Sequence, residues 1–111
     1  MRRDYVPEAG DIVWLHFDKQ AGHEQAGRRP ALVLTPARYN RARGMALCCP
    51  MTMKIKGYVF EVVISDRPAS AVLVDQIRSF DWRARRALRK GAVGPRVLAE
   101  VRAKLKALLM I

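Results

Sequence analysis

The apolar residues of this chain come in short runs, each cut off within a few positions by glycine, proline or charge. That punctuation points to a small β fold with one helix at its end. Asp11–Phe17 alternates, with Val13, Leu15 and Phe17 on one face and Trp14 and His16 on the other. Pro30–Thr35 is almost wholly apolar and stops at Pro36, as a strand buried on both faces does. Met45–Met51, Tyr58–Ser65 and Ala71–Phe80 read as three further strands, and Arg85–Lys90 as a short basic one. Residues 37–43 fit about one helical turn, and Lys19–Arg28, with Gly22 and Gly27, reads as a polar loop. After Gly94, Pro95 stands where a helix starts without needing its N–H. Val97, Leu98, Val101, Leu105, Leu108 and Leu109 then form one apolar stripe expected to lie on the sheet, with Glu100 and Lys104 as an i,i+4 pair on the polar side. The expected architecture is α+β: a small barrel with a C-terminal amphipathic helix, one domain over residues 1–111.

Charge narrows the function. Lys and Arg number 21 against 10 Asp and Glu, a formal net charge of +11 at pH 7 in 111 residues, which suits a polyanionic partner or a membrane surface. Residues 76–111 carry most of the excess, including Arg83, Arg85 and Arg86 beside Trp82, where an indole is available to stack on a base. No apolar run approaches the roughly 18 residues a membrane span needs. Asp4, Glu8 and Asp11 occupy the positions where a secretory leader would be apolar. Cys48 and Cys49 are adjacent, so in a strand they face opposite ways and bridge poorly. With His16 and His23 as the two histidines and no paired cysteines at ligand spacing, no metal site and no cofactor are expected. The chain reads as a reduced, cytoplasmic domain. Its sequence holds no serine-hydrolase elbow, Walker loop or zinc-protease helix, and a two-histidine ribonuclease would have to enlist a His16 that most simply faces outward beside Trp14.

The segment Gly22-His23-Glu24-Gln25-Ala26-Gly27-Arg28-Arg29-Pro30-Ala31-Leu32-Val33-Leu34 is a polar loop feeding a proline-started strand. Together with Tyr5-Val6-Pro7, Gly10-Asp11, Cys49-Pro50-Met51-Thr52, Lys56-Gly57-Tyr58, Phe60-Glu61-Val62, Asp75-Gln76-Ile77-Arg78-Ser79 and Trp82-Arg83-Ala84-Arg85, it resembles the MazF/PemK family of bacterial toxins nearly end to end, the MazF branch most. The resemblance implies an SH3-like barrel, a homodimer, and an acidic antitoxin of the MazE kind. It also implies metal-independent, sequence-specific cleavage of single-stranded RNA to 2′,3′-cyclic phosphate and 5′-hydroxyl ends.

Carried over by position, the resemblance makes Arg29, Thr52 and Glu24 catalytic. Arg29 suits stabilising charge on the phosphate and also donating a proton. Its guanidinium is too basic to be a natural proton acceptor. Thr52 suits a hydrogen bond to the same phosphate, and Glu24 suits a base or the group that orients one. Arg28, Met53, Lys54, Lys56, Gln76, Arg78, Arg83, Arg85 and Arg86 are the expected RNA contacts. Met53 replaces the second hydroxyl frequent in relatives, and Val59 stands where close relatives have proline, so the cleavage sequence does not transfer. Two other readings fit the same barrel: a gyrase poison of the CcdB kind, whose tryptophan-bearing C-terminus this chain lacks, and a silent RNA-binding barrel.

Overall fold

The computed structural model describes residues 5–17 and 27–111, so Glu24 and His23 lie outside the described residues. In chain order the elements are β1 (Asp11–Phe17), β2 (Gly27–Val33), α1 (Ala37–Arg43), β3 (Ala46–Thr52), β4 (Glu61–Asp66), β5 (Ala69–Leu73), a 3-10 turn (Val74–Gln76), β6 (Arg78–Phe80), β7 (Leu88–Ala92) and α2 (Pro95–Leu109). The strands form one curled antiparallel sheet in the order β4-β5-β3-β2-β1-β7, with β6 also paired to β3. With α2 against it, this is the α+β fold with a C-terminal helix that the sequence leads one to expect, the small barrel taking the form of a half-barrel.

The alternation of buried side chains builds two cores on opposite faces of the central strands. Val13, Leu15, Ala31, Val33, Ala46 and Cys48 join Phe80 and Trp82 on one face. Ile12, Leu32, Cys49, Val62, Val72 and Val74 join Val101 of α2 on the other. Pro30–Thr35 looks uniformly apolar because β2 feeds both cores. Cys48 and Cys49 do face opposite ways; both are free and buried, and loss of water pushes both thiols up to about 12, so each stays protonated near neutrality.

Several boundaries differ from the sequence reading, four of them with a bearing on the site. Strand β2 begins at Gly27, not Pro30, because Gly27, Arg28 and Arg29 pair with Phe17, His16 and Leu15. The expected strand 71–80 is interrupted by the 3-10 turn, where Val74 turns into the core and carries the chain from β5 to β6. Tyr58–Phe60 precede β4 rather than belong to it. The basic strand starts at Leu88, since Arg85 and Arg86 lie in turns closed by Arg85 N–H to the Asp81 carbonyl and Arg86 N–H to the Arg83 carbonyl.

Two further expectations change. Lys104 does not serve Glu100: its Nζ donates to the Val59 carbonyl at 2.6 Å. The apolar stripe of α2 is buried at Val101 and partly at Val97 and Leu105, but Leu108 and Leu109 run past the sheet and are exposed.

Candidate RNA-cleavage site

Pairing with β1 decides where the two neighbouring arginines point. Arg29 stands opposite Leu15 and so falls on the face that carries Leu15 and Phe17, whereas Arg28 stands opposite His16 and shares the other face with Trp14. The cation–π contacts agree. The Arg29 guanidinium carbon lies 5.8 Å from the Phe17 ring centroid, and that of Arg28 lies 4.9 Å from Trp14, which Lys90 also approaches. Pro30 holds Arg29 extended at the strand entrance. Both arginines are exposed.

Strands β2 and β3 are paired through Val33↔Cys48, Leu32↔Cys49 and Ala31↔Pro50. The pairs end at Ala31↔Pro50, and two positions further along each strand Arg29 and Thr52 share the face of that pair. Thr52 ends β3, and its Oγ1 accepts the Lys54 N–H at 3.0 Å, which turns the chain outward into an exposed loop bearing Met53, Lys54 and Lys56. Thr52, Lys54, Lys56, Tyr58, Glu61, Leu73 and Gln76 line an open cleft of about 320 Å³. Above it the Tyr58 hydroxyl donates to Asp75 Oδ1 at 2.6 Å, and that bond to a carboxylate pushes the exposed phenol up to about 12.

Around Phe17 the chain collects cations from three distant segments. The rings of Phe17 and Phe80 meet edge to face at 5.9 Å between centroids. Arg29 and Arg85 lie over Phe17, Arg85 at 4.4 Å, and Arg78 lies 4.7 Å over Phe80. Arg85 is fixed further by donation from Nη1 to the His16 carbonyl at 3.2 Å. Among the described residues no carboxylate pairs with Arg29, Arg78 or Arg85, and the platform gathers three guanidinium groups. That arrangement suits a phosphodiester, whose oxygens take paired N–H donors from a planar fork.

The other expected contacts divide. Lys54, Lys56, Gln76 and Met53 stand at or beside the Thr52 cleft. Arg28 lines a different hollow with Tyr5, Trp14, Leu88 and Arg89. Arg83 lies over Trp82 and donates toward the Arg41 carbonyl of α1, while Arg86 is exposed at a positive φ of 51°. Trp82 itself is not a stacking platform: it is 6% exposed, packed in the core, and its Nε1 donates to the Asn40 carbonyl at 3.0 Å. A tryptophan beside a run of arginines gives no local sign of this, because its partner is 42 residues away.

Sequence reasoning missed two groups that shape the site. One is the phenyl pair, a long-range contact. The other is Glu61, whose buried carboxylate accepts backbone N–H groups from the loop after Thr52. An acidic residue four positions after Gly57, whose φ of +80° marks a turn, is the local signal that was available. The described residues contain no group of three or more His, Cys, Asp or Glu able to hold a metal, and no helix long and apolar enough to cross a membrane.

Comparison with known proteins shows the family and the fold. Residues 8–109 match the family described as PemK-like, MazF-like toxin of type II toxin–antitoxin system. The chain is 50% identical over 106 residues to the endoribonuclease toxin MazF of Escherichia coli K12, covering 95% of this chain and 96% of that one. It is 32% identical to the E. coli endoribonuclease PemK, covering 98% and 86%. A crystal structure of MazE-MazF from Deinococcus radiodurans superposes with a TM-score of 0.90 at 54% identity, covering 97% of this chain and 99% of that one.

Proposed function

The chain belongs to the PemK-like, MazF-like toxin family of type II toxin–antitoxin systems and is an endoribonuclease, and on that premise we propose how its residues cut RNA. The reading is carried by the β2–β3 register, whose last pair, Ala31↔Pro50, lies two positions from both Arg29 and Thr52 and so leaves them on one face, and by the arginine platform on Phe17 and Phe80. A single strand of RNA lies along this face, its scissile phosphate between Arg29 and Thr52. The ribose 2′-oxygen attacks phosphorus, its proton passes to a base, and the P–O5′ bond breaks as the 5′-oxygen gains a proton. A 2′,3′-cyclic phosphate and a 5′-hydroxyl result. Arg29 stabilises the phosphorane charge with two N–H groups and is the candidate donor to the leaving oxygen. The Thr52 hydroxyl donates to a non-bridging oxygen, and Glu24 is the base or orients it.

Arg78, Arg85, Lys54, Lys56 and Gln76 hold neighbouring phosphates and bases, Met53 packs beside a base, and Arg28, Arg83 and Arg86 extend the footprint. The gyrase-poison reading has no support, since the curated relatives are endoribonucleases. The protein works as a homodimer in the bacterial cytoplasm, held in check by a MazE-like antitoxin. An acidic antitoxin tail offers carboxylates to the same arginines that receive phosphates, so occupancy by one excludes the other.

The nucleophile already sits on the substrate, so this route needs no metal-activated water. Cleavage is therefore expected to proceed at full rate in EDTA, and to stop when the nucleotide 5′ of the cut carries 2′-deoxyribose, with binding retained. Mapping product ends in both conditions checks it. Loss of activity in EDTA, or cutting at the deoxy-substituted bond, contradicts the mechanism.

A further inference from the structure

Glu61 opens β4 and is 7% exposed, an unusual place for a carboxylate unless it is fully engaged. Its Oε1 accepts the Gly57 N–H at 2.7 Å and the Lys56 N–H at 3.1 Å, and Oε2 shares the Lys56 N–H at 3.1 Å. Both oxygens thus accept from backbone donors of the segment that borders the Thr52 cleft, which Glu61 itself helps line.

The loop it holds is otherwise exposed and carries Met53, Lys54 and Lys56, beside the catalytic hydroxyl. Three more bonds pin the same segment: Lys54 N–H to Thr52 Oγ1, Tyr58 hydroxyl to Asp75, and Lys104 Nζ to the Val59 carbonyl. Glu61 alone among these anchors is buried, and it grips the middle of the loop next to the left-handed Gly57. Charge-assisted bonds to N–H groups out of water are stronger than the exposed ones around them.

We propose that Glu61 is a positioning residue for base selection: it fixes the 53–57 loop so that the backbone and side-chain groups of this loop meet the bases beside the scissile phosphate in one geometry. Sequence-specific reading of single-stranded RNA depends on hydrogen bonds to splayed bases, and those discriminate only when the protein groups are held in place. The proposal rests on the endoribonuclease reading above.

Glu61→Leu strands the Lys56 and Gly57 donors, and Glu61→Gln places an amide donor against the Lys56 N–H while keeping one acceptor. Val62→Ala serves as the structural control, since it opens a cavity under the same strand on the opposite face. Each protein cuts a long mixed-sequence RNA, and cleavage rates are mapped at every site. In Glu61→Leu the rate advantage of the best site over the next is expected to fall by about tenfold, with a smaller fall in Glu61→Gln. The half-saturating protein concentration rises in both, and Val62→Ala lowers the melting temperature with wild-type site preference. Wild-type preference in both Glu61 variants, or an equal shift in Val62→Ala, overturns the proposal while leaving the nuclease reading intact. Absence of cleavage by the wild-type chain overturns both.

Discussion

Arg29→Ala is expected to slow single-turnover cleavage by about 10²–10³-fold at saturating protein, while affinity for an uncleavable deoxy-substituted oligonucleotide falls only slightly. The size is that of one preorganised donor lost from a developing oxyanion. Arg85 and Arg78, gathered on the same phenyl platform, retain most of the phosphate attraction, so binding survives where chemistry does not. Arg28→Ala is expected to behave oppositely. Its side chain lies on the Trp14 face, so the saturated rate stays near wild type, binding weakens, and the salt dependence becomes shallower by about one unit. A near wild-type saturated rate for Arg29→Ala would reduce Arg29 to a binding residue.

The second large effect is on stability. Asn40, in the middle of α1, is 0% exposed. Its Nδ2 donates to the Pro7 carbonyl at 2.8 Å and to the Thr35 carbonyl at 2.9 Å, and its Oδ1 accepts the Thr35 hydroxyl at 2.7 Å. Its own carbonyl takes the Trp82 indole N–H. The side-chain amide therefore ties the segment before β1 to the link from β2 to α1, while the backbone of the same residue holds the turn after β6. Asn40→Ala leaves three polar groups without their partner and opens a void, a loss of roughly 3 kcal/mol. For a domain of this size the melting temperature should fall by roughly 15 °C at equal protein concentration. The exposed neighbour variant Tyr39→Ala should stay within about 3 °C of wild type. Asn40→Ala melting that close to wild type would show that these bonds contribute little.

These two sites also mark what the chain discloses locally and what it does not. Strand β1 was legible because Val13, Leu15 and Phe17 alternate against Trp14 and His16, and α2 because Pro95 opens a three- and four-residue apolar stripe. Gly44, left-handed at a φ of +69°, closes α1 where the helical turn over 37–43 was expected to end. The break between β5 and β6 was hidden, since Val72, Leu73 and Val74 look alike and only packing shows that the last turns the chain.

Of the site, the family resemblance supplied Arg29 and Thr52 as separate points; their common face comes from pairing across β1, β2 and β3. Glu61 is signalled locally by the Gly57 turn four positions before it, but neither the gathering of Arg29, Arg78 and Arg85 on Phe17 and Phe80, nor the burial of Trp82 and Asn40, leaves a short-range trace. Each depends on partners that the sequence does not place side by side.

The account turns on Arg29 and Thr52 acting on one phosphate across β2 and β3. Single-turnover cleavage at saturating protein by Arg29→Ala, Thr52→Val and the double variant tests that directly. Groups that grip the same phosphate act as a unit, so the double variant is expected to fall no more than about threefold below the slower single variant. Thr52→Ser, which keeps the hydroxyl, should recover most of the rate. Losses that multiply in the double variant, or a Thr52→Val enzyme that cuts at the wild-type rate, would contradict the shared site.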